Sequence, residues 1–463
     1  MIAVSTLFYT FVIKKMTLNA MKRGIYLPFL VFAMIFATVD VVMAQARIAR
    51  TEFLCYDKRE DAKRDVRTQI DKYIAVCPEL QFETDEGGVR AVYEQTINVP
   101  ASWNDYNAYL HLESVGDDFT VFINGKQITR PIDKYTPSEM FISPYLEQGE
   151  NTLAIVVVAE PYMATIAEDI VAKQRAQFSN CYIFAQRKLG IYDVNIRMVP
   201  DSLDRFAQLR LDVEVDNSFS TDEVIEVGYD IYAPDGKLME YSVNDLAIEG
   251  FSRDTMRFTP WIYHSNPNRW SPSNPKLYDL MLYIKRSGIV WEYMPFKVGF
   301  AEYGYNEAGE ITAFGKALTL KKSVYDAAVD RATTEKEVKA LKAKGINCLC
   351  PTHPQPQWFY DVCDKVGMYV IDCAAISSPT RADDRTMSGT PANAPWLLED
   401  YLMRVEAMYR RAQNHVCIIA FKLANDSSGN GYNLYKAYEL LKSFGDSRAV
   451  IYEGADGEWN TDL

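Results

Sequence analysis

Apolar and polar residues alternate with a period of two from about residue 89 to residue 161, which is typical of β-strands. The apolar runs are short and are broken by Gly, Asn and Pro. Asn124-Gly125 follows one run, and this dipeptide favours a tight hairpin that needs positive φ. The pattern predicts an all-β domain with strands at residues 93–100, 119–123 and 149–158.

A second β region is predicted from residue 190 to about residue 303. Residues 209–215 alternate strictly between apolar and polar side chains, as a half-exposed antiparallel strand does. Proline and glycine separate the runs here as well. We therefore predict a second, separate β-domain.

Beyond residues 314–316 the apolar period becomes helical. Thr334 precedes an amphipathic run and is predicted to cap its helix. Repeated strand-helix units favour a parallel sheet, and about four and a half units are expected. The predicted helices are residues 334–342, 357–365, 396–411 and 434–444, and the predicted strands are residues 346–350, 368–373, 417–423 and 449–452.

Composition narrows the class of protein. The chain has 463 residues, of which 48% are hydrophobic, so it can bury more than one core. Its net charge is −13, and no basic cluster interrupts the predicted domains. This balance argues against nucleic acid and anionic membrane surfaces as partners.

The N-terminal segment is predicted to direct export. Residues 21–46 combine a positive start at Lys22-Arg23, an apolar run and small residues before a cleavage site after Ala44. Eight cysteines are spread along the chain rather than packed into a short scaffold. We expect a periplasmic or extracellular protein.

Residues 411–427 carry the most specific motif. They read Arg-Ala-Gln-Asn-His-Val-Cys-Ile-Ile-Ala-Phe-Lys-Leu-Ala-Asn-Asp-Ser. The run resembles Arg-Asp-Lys-Asn-His-Pro-Ser-Ile-Ile-x-Trp-Ser-Leu-Gly-Asn-Glu-Ser of glycoside hydrolase family 2, the β-galactosidase and β-glucuronidase family. Residues 269–280 and 346–372 resemble two further stretches of that family.

The resemblance covers about residues 85–455 and implies an architecture: a jelly-roll β-sandwich, an immunoglobulin-like β-sandwich and a partial (β/α)8 TIM barrel. The expected divisions are an N-terminal extension with signal peptide (1–46), a jelly-roll sugar-binding-like domain (47–189), an immunoglobulin-like sandwich (190–303) and a truncated barrel (304–463).

The resemblance also implies a site. Asp426 occupies the slot of the family's general acid/base, a Glu, and Asn425 and His353 occupy matched substrate-binding positions. Asp is one methylene shorter than Glu, and the family's nucleophile would follow beyond Leu463. The other interpretation of Asp426 is a cap of the loop or helix that follows it. Glu453 is expected to be a structural carboxylate at a strand end.

Cysteine also replaces two charged residues of the family: Cys350 stands where the family has Arg, and Cys373 stands where it has Glu. On neighbouring parallel strands the two could be reduced fillers, form a disulfide, or bind zinc with His353. We assign no metal site and expect no cofactor.

The sequence therefore predicts a β-galactosidase-like protein that acts on or binds β-linked glycosides, with impaired catalysis. The alternatives are a non-catalytic protein that binds carbohydrate or a partner, and one half of a split glycosidase. Carbohydrate is the expected ligand. A five-stranded open barrel would leave an unpaired edge. A second copy, the product of an adjacent gene, or the chain's own sandwiches could cover that edge.

Overall fold

The computed structural model describes residues 47–64, 72–84, 89–115, 119–129, 132–133, 135–158, 166–167, 177–199, 207–262 and 269–463. The predicted export signal lies outside the described residues. None of the helices in these segments is long and apolar enough to span a membrane.

The first domain is a sandwich of two antiparallel five-stranded sheets, with strand orders β1-β8-β5-β10-β2 and β3-β4-β9-β6-β7. Alternate residues such as Leu110, Leu112 and Ile155 are fully buried between the sheets, so the period-two pattern forms this core. A short helix, α1 (Arg59–Arg64), follows β1. The strands are β1 (Arg47–Ile48), β2 (Tyr73–Ala75), β3 (Glu79–Glu83), β4 (Val89–Val99), β5 (Tyr106–Val115), β6 (Phe119–Ile123), β7 (Lys126–Gln127), β8 (Ser138–Phe141), β9 (Gly149–Val158) and β10 (Gln177–Arg187).

The predicted Asn-Gly hairpin is confirmed. Asn124 and Gly125 join β6 to β7 with φ of 50° and 75°, the left-handed conformation that a two-residue turn requires. The Asn124 side chain also donates to Asn151 Oδ1 at 2.8 Å, which fastens the turn to β9.

The second domain is also a sandwich. One sheet has the order β11-β12-β15, with β16 also paired to β12, and the other has the order β14-β13-β17-β18. The Trp270 indole donates to the carbonyl of Asp364 at 2.9 Å, so this signature residue joins the sandwich to the next domain. The strands are β11 (Leu189–Val199), β12 (Ala207–Asn217), β13 (Glu223–Tyr232), β14 (Leu238–Ile248), β15 (Ser252–Phe258), β16 (Trp261–Ile262), β17 (Tyr278–Arg286) and β18 (Ile289–Val298).

The third region is a five-stranded parallel sheet, preceded by a small antiparallel sheet of β19 (Tyr303–Tyr305), β20 (Ile311–Ala313) and β21 (Lys316–Ala317). Strands and helices alternate in chain order, which confirms the predicted partial barrel. The parallel strands, paired in order, are β22 (Lys322–Tyr325), β23 (Cys348–Pro351), β24 (Tyr369–Cys373), β25 (Ile418–Lys422) and β26 (Ala449–Ile451). The helices are α2 (Arg331–Ala343), α3 (Gln357–Val366), α4 (Leu398–Ala412) and α5 (Tyr432–Ser443).

The predicted start of helix α2 is wrong. The helix begins at Arg331, and Asp330 caps it by accepting a hydrogen bond from the Thr333 backbone N–H at 2.9 Å. Thr334 lies inside the helix and is buried. Strand β22 was not predicted, because only Tyr325 of its four residues is buried and the apolar signal is weak.

Thr461 and Asp462 line the outer edge of β26. Asp462 donates its backbone N–H to the Val450 carbonyl at 2.8 Å, and its carboxylate accepts from the Val450 N–H at 2.8 Å. Tyr452 donates its N–H to Thr461 Oγ1 at 3.1 Å. The backbone groups of this edge that the sequence predicted to be unpaired are therefore bonded within the chain.

Candidate functional site

Polar side chains gather where the parallel strands end. Lys422 closes β25, Asp426 lies four residues later, and Glu453 opens a short 3₁₀ turn one residue after Tyr452 and the end of β26. Loops after the carboxyl ends of parallel strands meet on one face, so Glu453 converges with Lys422 and Asp426 although it is distant from them in sequence.

Asp426 is held in an ion pair. Its carboxylate contacts the Lys422 ammonium, and the same ammonium lies 3.1 Å from Glu453 Oε2. The Asp426 side chain is 62% exposed, whereas that of Lys422 is 16% exposed. Partial burial would raise the pKa of Asp426, but the hydrogen bond and the positive charge of Lys422 outweigh burial and lower that pKa below its usual value. The arrangement keeps Asp426 ionised.

Asp426 is not a helix cap. Helix α5 begins at Tyr432, six residues after Asp426, and Gly431 precedes it. The carboxylate is thus turned toward Lys422 rather than toward helical N–H groups, and the interpretation of Asp426 as the cap of the following helix is wrong.

Asn425 lies half-buried beside this ion pair and ties neighbouring loops together. Its side-chain amide donates to the Thr352 carbonyl at 3.3 Å, and its backbone N–H donates to the Ile376 carbonyl at 2.9 Å. The Cys373 thiol lies 3.8 Å from Asn425 Oδ1. Asn425 is therefore fixed in position next to Asp426 and its ion pair with Lys422.

His353 is buried beneath the first sandwich. It is 5% exposed, and its ring packs edge-on against Tyr135 with centroids 4.9 Å apart. Nδ1 lies 3.1 Å from Thr352 Oγ1. Burial lowers the pKa of His353 to about 4, which makes the imidazole neutral near pH 7. The assignment of His353 to substrate binding stays a prediction.

Two segments of the first sandwich, one between β7 and β8 and the other between β9 and β10, cover this part of the face. Tyr135 of the first segment and Ala167 of the second pack against Ala375, and the Ser377 N–H donates to the Ile166 carbonyl at 2.6 Å. Asp133, whose carboxylate accepts from the Tyr135 and Thr136 N–H groups at 2.7 and 2.6 Å, is fully buried in the first segment. Nothing in the sequence indicated this contact, because it joins segments more than 200 residues apart.

Of the three states considered for Cys350 and Cys373, the structure has the reduced one: both are free thiols. Leu349 pairs with Val370, so Cys350 lies two residues short of Cys373 in the register of β23 and β24. A hydrogen bond with Cys348 lowers the pKa of Cys350, while burial raises that of Cys373. Among the described residues, Cys350, Cys373 and His353 are also not grouped closely enough to bind one metal ion.

Lys422 is the residue that the sequence analysis missed. In the motif quoted above it stands where the family has Ser. A lysine directly after four buried strand residues is an unusual placement for a charge, and this signal was available in the sequence.

Three family models match the chain. They are described as "Glycosyl hydrolases family 2, sugar binding domain" (residues 59–189), "Glycosyl hydrolases family 2" (residues 191–300) and "Glycosyl hydrolases family 2, TIM barrel domain" (residues 322–462). Their order follows the two sandwiches and the parallel sheet.

Curated relatives agree with these matches. A β-galactosidase of Priestia megaterium is 27% identical over 375 residues, covering 78% of this chain and 36% of the relative. One of Streptococcus thermophilus is 25% identical and covers 80% and 36%, respectively. The chain thus spans little more than a third of the length of these relatives.

Solved structures share the fold. A β-glucuronidase of Bacteroides uniformis has a TM-score of 0.66 at 18% identity, with 87% of this chain and 51% of that chain covered. A glycosyl hydrolase family 2 member from Bacteroides cellulosilyticus has a TM-score of 0.66 at 15% identity, with 90% and 58% covered.

Proposed function

Since the chain belongs to glycoside hydrolase family 2, we propose that it recognises β-linked glycosides and that Asp426 does not act as a proton donor. Carbohydrate is the ligand that suits a sugar-binding sandwich next to a parallel-sheet face. The observation that carries the second half of the proposal is the ion pair between Lys422 and Asp426.

A general acid of a glycosidase must hold a proton at the working pH, and a raised carboxyl pKa achieves this. The Lys422 ammonium does the opposite to Asp426, because a cation at contact distance favours the charged carboxylate. Glu453 shares the same ammonium, so removing a proton from Lys422 would deprive two neighbouring carboxylates of the cation that they share.

Geometry supports the same conclusion. Asp places its oxygens about one bond length behind those of Glu, and a misplacement of about 1 Å can cost on the order of 100-fold in rate. The contact with Lys422 directs the carboxylate back toward its own strand. Asn425, fixed by Thr352 and Ile376, is the polar group beside it that we assign to glycoside recognition.

Binding and hydrolysis test the two halves separately. Titration calorimetry of the full chain with methyl β-galactoside and methyl β-glucuronide should detect binding by at least one ligand. Asn425→Ala should weaken it, and Asn244→Ala, at an exposed strand position far from this face in sequence, serves as the control. Lack of binding to every β-glycoside tested would refute recognition.

Hydrolysis is measured with a panel of chromogenic β-glycosides. The wild type and Asp426→Ala should give equal, background rates. Turnover of roughly 1 to 1,000 per second that disappears in Asp426→Ala would show that Asp426 is catalytic and overturn the proposal.

Two further expectations belong to this proposal. Residues 21–46 are proposed to direct export, which N-terminal sequencing of secreted protein would check.

Completion of the barrel by a second copy or by an adjacent gene product would require pairing at β26, where Asp462 already bonds both backbone groups of Val450.

A further inference from the structure

Two charged residues of β5 face away from the core of the first sandwich. Leu110 and Leu112 are fully buried between the two sheets, so the alternating side chains of His111 and Glu113 project from the opposite face. That face is also covered, because the side chains of His111 and Glu113 are only 3% and 7% exposed. Charges buried to this degree require a partner.

The segment that follows β1 brings a third charged group to this place. Glu52 Oε1 lies 4.0 Å from His111 Nε2, and Glu113 Oε1 lies 3.5 Å from the same nitrogen. One ligand atom from each residue lies within 4.8 Å of the other two. Among the described residues this is the only such group of His, Cys, Asp and Glu.

The separations suit a metal ion. In a tetrahedral site with bonds of about 2.1 Å, two ligand atoms lie about 3.4 Å apart, close to the distances found here. Stacking on Tyr182, with ring centroids 4.5 Å apart and 16° between the planes, holds the imidazole of His111. Asn180 donates to Glu113 Oε1 at 2.7 Å, an outer contact that orients this carboxylate.

One oxygen of the group is unsatisfied. Glu52 Oε2 is buried and accepts no hydrogen bond from the described residues. The Arg411 guanidinium of α4 lies on the side of this oxygen, with Nη2 3.8 Å away, beyond hydrogen-bond distance. The Glu52 carboxylate is therefore only weakly compensated, and a cation bound at its other oxygen, Oε1, beside His111 and Glu113, would stabilise its charge.

We propose that Glu52, His111 and Glu113 bind one divalent transition-metal ion of the zinc class. One imidazole nitrogen with two carboxylates favours Zn²⁺ over Ca²⁺ or Mg²⁺, which prefer oxygen ligands alone. The ion joins the segment after β1 to the first sandwich. Thr51, one residue before Glu52, accepts a hydrogen bond from Asn414 at 3.0 Å, so the site also lies at the junction with the parallel-sheet domain.

The test uses the full chain stripped with EDTA and titrated with Zn²⁺ alone. Calorimetry should give one site per chain, and Glu113→Gln and His111→Gln should each weaken it by more than about 10-fold. The double variant Cys350→Ser/Cys373→Ser is the control, because thiols are the competing zinc ligands, and its affinity should not change. Absence of a site, or loss only in the cysteine variant, would overturn the proposal.

X-ray absorption on the zinc-loaded wild type provides a second readout that needs no substitution to fold. The proposal predicts a first shell of nitrogen and oxygen at about 2.0 to 2.2 Å with imidazole scattering. Sulfur at about 2.3 Å would place the ion on cysteines and refute it.

Discussion

Substituting Asp372 by Asn should make the protein less sensitive to rising pH. Asp372 lies on β24, is fully buried, and accepts a hydrogen bond from the Tyr360 hydroxyl at 2.9 Å. Burial raises its pKa to about 7, against the opposing effects of Tyr360 and Arg411. The folded protein therefore holds a proton here that the unfolded chain, with a pKa of about 3.9, releases.

The sign follows from linkage. Between about pH 4 and pH 7 the folded state binds more protons than the unfolded state, so the free energy of unfolding falls as pH rises. For a pKa of 3.9 unfolded and about 7 folded, the contribution of Asp372 becomes less favourable by about 2.5 kcal/mol between pH 5 and pH 8. Asn does not titrate, so this loss should be absent from Asp372→Asn.

The assay is denaturant unfolding of the wild type and the variant at pH 5 and pH 8. The unfolding free energy of the variant minus that of the wild type should be about 2.5 kcal/mol larger at pH 8 than at pH 5. Asp235→Asn, at an exposed turn, is the control and should show no such shift. An equal effect of Asp372→Asn at both pH values would refute the reasoning that Asp372 is protonated in the folded protein.

Gly125→Val should lower the melting temperature, because a β-branched residue at φ of 75° costs about 1 to 2 kcal/mol; unchanged melting with lost glycoside binding would contradict this. Gly299→Ala should destabilise by about 1 to 3 kcal/mol, because its Cβ would lie 2.5 Å from Val416 Cγ1, and added Val416→Ala, which removes both Cγ atoms but leaves Cβ at 2.8 Å, should restore part of the stability. Failure of that rescue in thermal unfolding would show that the contact is not the cause. Asp462→Ala should cost about 1 to 3 kcal/mol by leaving the buried Val450 N–H unpaired, and light scattering should detect association at β26. A monodisperse variant of unchanged stability would refute the role of Asp462 at this edge.

Elements with a strong local signal were predictable from the sequence. The Asn124-Gly125 hairpin needs only the left-handed tolerance of its two residues, and strands such as β9 and β25 carry uninterrupted apolar runs. Strand β22 has one buried residue in four, which leaves no period to detect. Strand β22 is held in the sheet by its pairing with β23, which is a long-range interaction.

The site was only partly predictable. The motif placed Asp426 and Asn425 after a barrel strand, but the motif says nothing about what an altered neighbour does. Lys422 contacts the side chain of Asp426, four residues further along the chain, and this contact changes the charge state expected of Asp426. The burial of His353 was not predictable, because Tyr135, which packs against its ring, comes from another domain.

The pKa of Asp426 tests the central claim most directly. Carboxyl ¹³C NMR of the aspartate-labelled chain, with the Asp426 signal assigned by its loss in Asp426→Asn, would follow the titration in the wild type and in Lys422→Met. We predict a wild-type pKa below the usual value of about 3.9 and a higher one in Lys422→Met. A wild-type pKa of about 6, as is found for a glycosidase proton donor, would contradict the account.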